Sequence, residues 1–247
     1  MEPINIAIIA AVYFITAFYG SLIGGASLLT IPALIFTGLS PHAAIGTNKI
    51  GTFGLSAGAS LGYGIENKID YKFGAIFMAF LVIGSVIGSY TVLNLPEQVI
   101  KKVIGVIMIV IAAFLFFNKD VGTKPVKKTK KNILLFIAFS LASGFYSGFY
   151  GAGAGTINRF MLTAFFAYTM INSAAISTFA NMASHIFALG IFTYYGVVQY
   201  SLFIPMILAS FTGGFLGAKY GVKLGNVNIK RLLLMVSVIM AVKLLFF

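Results

Sequence analysis

GGASLLTIPALIFTGLSPHAAIGTNK, from Gly24 to Lys49, decides how this chain is read. It places paired glycines, two prolines, a Thr-Asn pair and a lysine inside one of the chain's apolar regions. An apolar helix that breaks itself and then carries a cation is doing something other than crossing hydrocarbon. The surrounding composition says which solvent applies. Of 247 residues, 60% are hydrophobic and only 9% are charged. A globular soluble domain carries about 25% charged residues. This chain lacks the polar surface to cover a water-soluble particle, so its apolar stretches read as transmembrane helices of about 20 residues each.

Working outward, the punctuation brackets Ile4–Ile23, a short Ser27–Leu39, then His42–Tyr63, Phe73–Leu95 and Val99–Phe117. A lysine-rich linker follows, and the pattern restarts with Ile133–Tyr150, a short Thr156–Tyr168, then Asn172–Tyr195, Ser201–Val222 and Ile229–Phe247. The two short pieces, of about a dozen residues, cannot cross a bilayer alone. The chain therefore divides into a first membrane repeat (1–117), a basic linker (118–132) and a second membrane repeat (133–247). FYGSLIGGAS (Phe18–Ser27) resembles FYSGFYGAGAG (Phe145–Gly155), and PHAAIGTN (Pro41–Asn48) resembles NSAAISTF (Asn172–Phe179). The expected fold is an all-α polytopic membrane protein of 8–10 membrane segments in two repeats, with glycine-broken re-entrant or half-helices.

The net charge of +12 does not point to nucleic acid. Six lysines lie between Lys119 and Lys131, and Lys219, Lys223, Lys230 and Arg231 cluster near the end. Basic residues at the ends of apolar segments follow the positive-inside rule. That rule places linker 118–132 in the cytoplasm, both termini outside, and the two repeats in opposite orientations in the cell membrane. Lys101 and Lys102 run against this assignment. Inverted repeats with short, glycine-interrupted segments at matching places mark a transporter site near the bilayer midplane.

Non-helical backbone survives at membrane depth only inside protein or against a wet cavity. Gly24-Gly25 and the run Gly151, Gly153 and Gly155 are candidate breaks, after which a new helix starts with free N–H groups and the positive end of its dipole. Such ends bind anions. Glycines also let helices pack closely, which is the reading for Gly84, Gly88, Gly213 and Gly217. The same small-residue pattern in GGFLGA (Gly213–Ala218) leaves a homodimer open.

Lys49 and Arg159 are the basic residues within membrane segments, and charge there marks function by default. The five acids (Glu2, Glu66, Asp70, Glu97, Asp120) all fall in loops or at segment ends, so a protein counter-ion is missing. A small anionic substrate fits such a place; snorkelling to the headgroups is the alternative. Thr47, Asn48, Thr156, Asn158, Ser177, Thr178 and Asn181 offer hydrogen bonds nearby. His185, one helical turn after Asn181, is the candidate proton carrier, with a packing histidine as the alternative. His42 reads as a capping residue at its Ser-Pro turn. The expected substrate-binding set is Gly24, Gly25, Thr47, Asn48, Lys49, Gly153, Gly155, Thr156, Asn158, Arg159, Ser177 and Asn181. With no cysteine, two histidines, no membrane-embedded acid pair and no P-loop, nothing supports an enzyme, a metal site or a cofactor.

GGASLLTIPAL followed by GLSPHAAIGTNK, with FYSGFYGAGAGT in the second half, resembles the sulfite exporter TauE/SafE family, the toluene sulfonate uptake permease group. The resemblance covers essentially the whole chain. It departs from the family pattern in having only two glycines in the first run. The family implies a permease or exporter of sulfur-containing anions such as sulfite or organosulfonates. An anion channel and a non-transporting membrane scaffold are the alternatives.

Overall fold

The computed structural model describes residues 3–100, 130–166 and 168–246. Most of the fifth expected segment and the basic linker lie outside the described residues. What is described is helical: α1 (Pro3–Ile23), α2 (Ser27–Phe36), α3 (Pro41–Ile65), α4 (Tyr71–Leu93), α5 (Lys130–Phe149), α6 (Ala154–Phe166), α7 (Met170–Tyr194) and α8 (Phe203–Phe246). Expected and observed ends agree within a few residues over the first seven. The boundary expected between Val222 and Ile229 is met by a kink rather than a loop: the chain stays helical past Lys219 and Lys223 and breaks at Gly225, at φ 76° and ψ 165°.

Local chemistry starts the long helices. Ser40 accepts from the Ala43 amide ahead of α3, with Pro41 as its first residue. Asp70 accepts from Phe73 at 3.0 Å ahead of α4, and Thr169 from Asn172 at 3.2 Å ahead of α7. Each closes an N–H that a helix start leaves orphaned. His42 does not cap: its Nε2 lies 3.0 Å from the Val92 carbonyl, tying α3 to the end of α4.

Among the described residues, four helices are long and apolar enough to cross a membrane: Ile4–Ile23, Tyr71–Leu93, Met170–Tyr194 and Tyr200–Gly225. α3 matches them in length but carries Thr47, Asn48 and Lys49. The distribution of side chains is that of a membrane protein. Ile8, Ile15, Ile83, Ile87, Ile204 and Leu208 are exposed, while Thr47, Asn48, Lys49, Asn158, Arg159 and Ser173 are buried. Water would not tolerate so much exposed aliphatic surface over a polar interior, whereas lipid does.

The packing runs across the two halves. α1 packs on α8, and α4 on α5; α3 packs on α8, and α4 on α7; α3 also packs on α7. Exchanging the halves (α1 with α5, α3 with α7, α4 with α8) maps this set of contacts onto itself. The same glycines serve each copy. Gly84 and Gly88 lie against the Leu141 and Phe145 carbonyls, as Gly213 and Gly217 lie against those of Phe14 and Phe18. These contacts advance together along each pair, so α4 runs parallel to α5, and α1 to α8. α3 and α7 run oppositely: Gly46 meets Phe192 at one end, while Ala59 and Tyr63 share a cluster with Ile171 and Ala174 at the other. The expected packing role of these four glycines holds. GGFLGA is used within the chain, where Gly214 also meets the Leu55 carbonyl, so this stripe is not a free face for a second copy.

Candidate functional site

Both expected breaks are present. α1 stops at Ile23, and Gly24 and Gly25 take φ of 84° and 76° before α2 begins. α5 stops at Phe149, and Gly151 and Gly153 take φ of 83° and 81° before α6. A side-chain-bearing residue pays about 1–2 kcal/mol for this backbone sign. The two breaks touch. A methyl group at Gly24 would lie 2.6 Å from Thr156 Oγ1, and one at Gly155 would lie 3.6 Å from Gly24 Cα. The Thr156 hydroxyl donates to the Ile23 carbonyl at 3.0 Å, satisfying one carbonyl at the end of α1.

Where they meet there is a cavity of about 50 Å³, several times the roughly 10–15 Å³ one water requires on the same measure. Gly24, Gly25, Gly153, Gly155, Arg159, Asn181 and His185 line it, as does Thr178. Ser27, Thr52 and Ser56 also line it. The sequence reading missed these three, because an isolated hydroxyl in an apolar helix usually bonds its own backbone and carries no distinguishing pattern.

The amides around this cavity are unclosed. Ala26 precedes α2 and provides no side-chain cap, in contrast to Ser40, Asp70 and Thr169. Among the described residues, no backbone acceptor takes the amides of Gly25, Ala26 and Ser27, nor those of Gly153 and Gly155. Two short helices therefore direct unpaired N–H groups and positive dipole ends at one space.

The two membrane cations have different places. Arg159, 3% exposed, reaches the cavity wall. Its Nε donates to Ser177 Oγ at 3.4 Å, and its Nη1 has no partner. The described carboxylates, Glu66, Asp70 and Glu97, sit at helix ends, and His42 Nδ1 lies 3.6 Å from Glu97 Oε1. Lys49, 1% exposed, does not line the cavity. Its ammonium donates to the Ser147 carbonyl in the last turn of α5 and lies beside Gly151. A cation there faces the negative end of a helix dipole. Snorkelling describes neither residue, since both are buried.

The remaining expected residues brace the walls. Asn48 Oδ1 accepts from Tyr13 at 2.8 Å and Thr30 at 2.6 Å, while its Nδ2 donates to Ser27 Oγ at 3.0 Å. One side chain thus ties α1, α2 and α3. Asn158 does the same for α5, α6 and α7: it accepts from Ser143 Oγ and donates to Asn181 Oδ1 at 3.4 Å. Thr47 Oγ1 accepts from the Gln199 amide at 2.9 Å, outside the cavity. His185 lines the cavity with Nδ1 unpartnered. No group of three metal-ligating side chains occurs among the described residues.

The whole chain has relatives. A probable membrane transporter protein of Haemophilus influenzae is 26% identical over 241 residues, covering 98% of this chain and 94% of that protein. The probable membrane transporter protein ORF9 of a Sinorhizobium species is 28% identical, covering 94% and 89%. The probable membrane transporter protein YfcA of Escherichia coli K12 is 26% identical, covering 100% and 91%. No solved structure matches the chain. The family described as sulfite exporter TauE/SafE matches residues 9–244, nearly the full length. With its lipid-facing exterior and helices long enough to span, this chain is a multi-pass membrane transporter, not an enzyme, and belongs to the TauE/SafE family.

Proposed function

We propose that this transporter moves a small sulfur-containing oxyanion, of the sulfite or organosulfonate kind, through the cavity between the two glycine breaks. The observation that carries the reading is the pairing of the unpartnered Arg159 Nη1 with two sets of unclosed helix-start amides around one space. A guanidinium fork and convergent N–H groups recognise planar or pyramidal oxyanions. The glycines at 24, 25, 153 and 155 let backbone approach the ligand; Ser27, Thr52, Ser56, Thr178 and Asn181 supply neutral hydrogen bonds. His185 is the group at the wall able to carry a proton. Asn48, Thr156, Asn158 and Ser177 hold the binding groups in place, while Thr47 and Lys49 make their bonds outside the cavity.

Two inverted repeats, 1–117 and 133–247, would rock about this site to alternate access. The exchange-symmetric contacts and the opposed α3 and α7 support that arrangement. With basic linker 118–132 in the cytoplasm, both termini lie outside. The test is thermal unfolding of detergent-purified protein in sulfite, sulfoacetate, thiosulfate, sulfate, phosphate and chloride at matched ionic strength. A ligand that binds only the folded state raises its stability by mass action. Selective, saturable stabilisation by a sulfur oxyanion is expected; a response that is flat, or equal for all anions, would refute the reading.

A further inference from the structure

His185 and Arg159 line the same cavity from two helices, α7 and α6. Each keeps a buried nitrogen without a partner: Nδ1 of His185, in a residue 9% exposed, and Nη1 of Arg159. The charges around the imidazole are all positive. α6 brings Arg159. α3 brings Lys49, whose charge reaches His185 although its ammonium rests on the Ser147 carbonyl. The other helices packed on α7 bring no charge to this depth. α4 meets this turn through Ser85, which donates to the Ser184 carbonyl at 3.2 Å, and its one charged residue, Lys72, lies in its first turn. α5 ends in Tyr146, which donates to the Ala152 carbonyl, and Tyr150 follows it. α1 has tyrosines at 13 and 19 and no charged side chain, and α8 has none before Lys219. The described carboxylates all sit at helix ends. An imidazolium in the empty cavity would therefore be a further buried cation with nothing to balance it, which is costly. A bound oxyanion reverses that balance. A dianion carries two charges, and Arg159 answers one.

We infer that His185 takes up a proton when the oxyanion binds, so that one proton travels with each anion. This rests on the proposed anion site and adds its coupling ion. A neutral imidazole has one N–H donor, and the protonated ring has two. With the anion present, both ring nitrogens can donate, and the bonds to an ionised acceptor are the strong kind. The proton comes from water on the side where the anion enters, rides on the imidazole, and leaves to water on the other side when the anion goes. Each ligand tightens the binding of the other by the same factor. Empty, the cavity holds neither, so a proton gradient drives the anion without a leak of protons alone. The absence of a membrane-embedded acid is then part of the device: a carboxylate here would hold the proton on His185 whether or not the anion was bound.

Thiosulfate and sulfoacetate are the probes, because each stays a dianion above about pH 5.5 and any titration then belongs to the protein. Each is titrated against melting temperature between about pH 5.5 and about pH 8.5, the range in which histidine changes charge. In the unaltered protein the concentration at half-effect is expected to rise by about 10-fold or more across that range. In His185→Asn that rise is absent. In Lys49→Met it persists, which separates the imidazole from the other buried amine. A second measurement needs no variant. Protein mixed with saturating anion in weakly buffered solution takes up on the order of one proton per molecule, read as alkalinisation by a pH dye. No proton uptake, a half-effect concentration independent of pH, or a pH dependence that survives in His185→Asn would overturn the inference. Stabilisation by anion that is equal at every pH would do so while leaving the anion site standing. No stabilisation by either anion at any pH would remove the site and the inference together.

Discussion

Replacing Gly24 by alanine tests whether the two glycine breaks have to touch. Two costs are separable at this position. Its φ of 84° is disfavoured for any L side chain, at about 1–2 kcal/mol. The added methyl also meets the Thr156 backbone amide and lies 2.6 Å from Thr156 Oγ1. Backbone cannot rotate aside, so overpacking adds about 1–3 kcal/mol. The sum, about 2–5 kcal/mol, lowers the melting temperature by roughly 4–20 °C at the 2–4 °C per kcal/mol typical of chains this long. Gly38→Ala is the control for backbone sign alone, since its φ is 92° and nothing lies within 4 Å of the new methyl. It should lose about 1–2 kcal/mol. Gly190, helical with open space around it, should gain up to about 1 kcal/mol as alanine. Thermal unfolding of the three variants in one detergent gives the comparison. If Gly24→Ala falls no further than Gly38→Ala, the breaks do not bear on each other and the cavity is drawn wrongly.

Three further outcomes follow from the same geometry. Arg159→Lys keeps the charge but loses the fork; one lost charge-assisted bond of about 1.5–3 kcal/mol weakens the anion's apparent affinity on the order of 10- to 100-fold, read from the anion titration of melting temperature. Lys49→Met keeps the anion response, because the ammonium rests on the Ser147 carbonyl and outside the cavity; a folded Lys49→Met without that response would move Lys49 into the binding set. Asn48→Leu strands Tyr13, Thr30 and Ser27 together; at about 1–3 kcal/mol for each unpaired buried group it should be the most destabilising single change among these, again by thermal unfolding.

What the sequence made legible is what is local. Paired glycines followed by an apolar piece too short to span announce a break wherever they occur, and both breaks appear with positive φ. Matching segments in the two halves need only be laid side by side. Partners distant in sequence are harder. Nothing in IGTNK says that the lysine will cap a carbonyl 98 residues on, whereas Arg159, three residues past Thr156, is carried to the cavity by the break itself. Both cations look alike in sequence because each lacks an acid; only packing separates a helix terminus from a ligand space. The boundary expected before Ile229 falls where the chain kinks, at Gly225, yet it is no loop: lysines mark a segment end by charge without stopping a helix.

The central claim is carriage of a sulfur oxyanion through a cavity built on Arg159. Its most direct test is sulfite flux into proteoliposomes containing the purified protein, compared with Arg159→Met protein shown to be folded and equally incorporated. Saturable flux in the native protein, inhibited by a second sulfur oxyanion and lost in the variant, is the predicted result. No flux, flux linear in concentration, or equal flux in both proteins would contradict it.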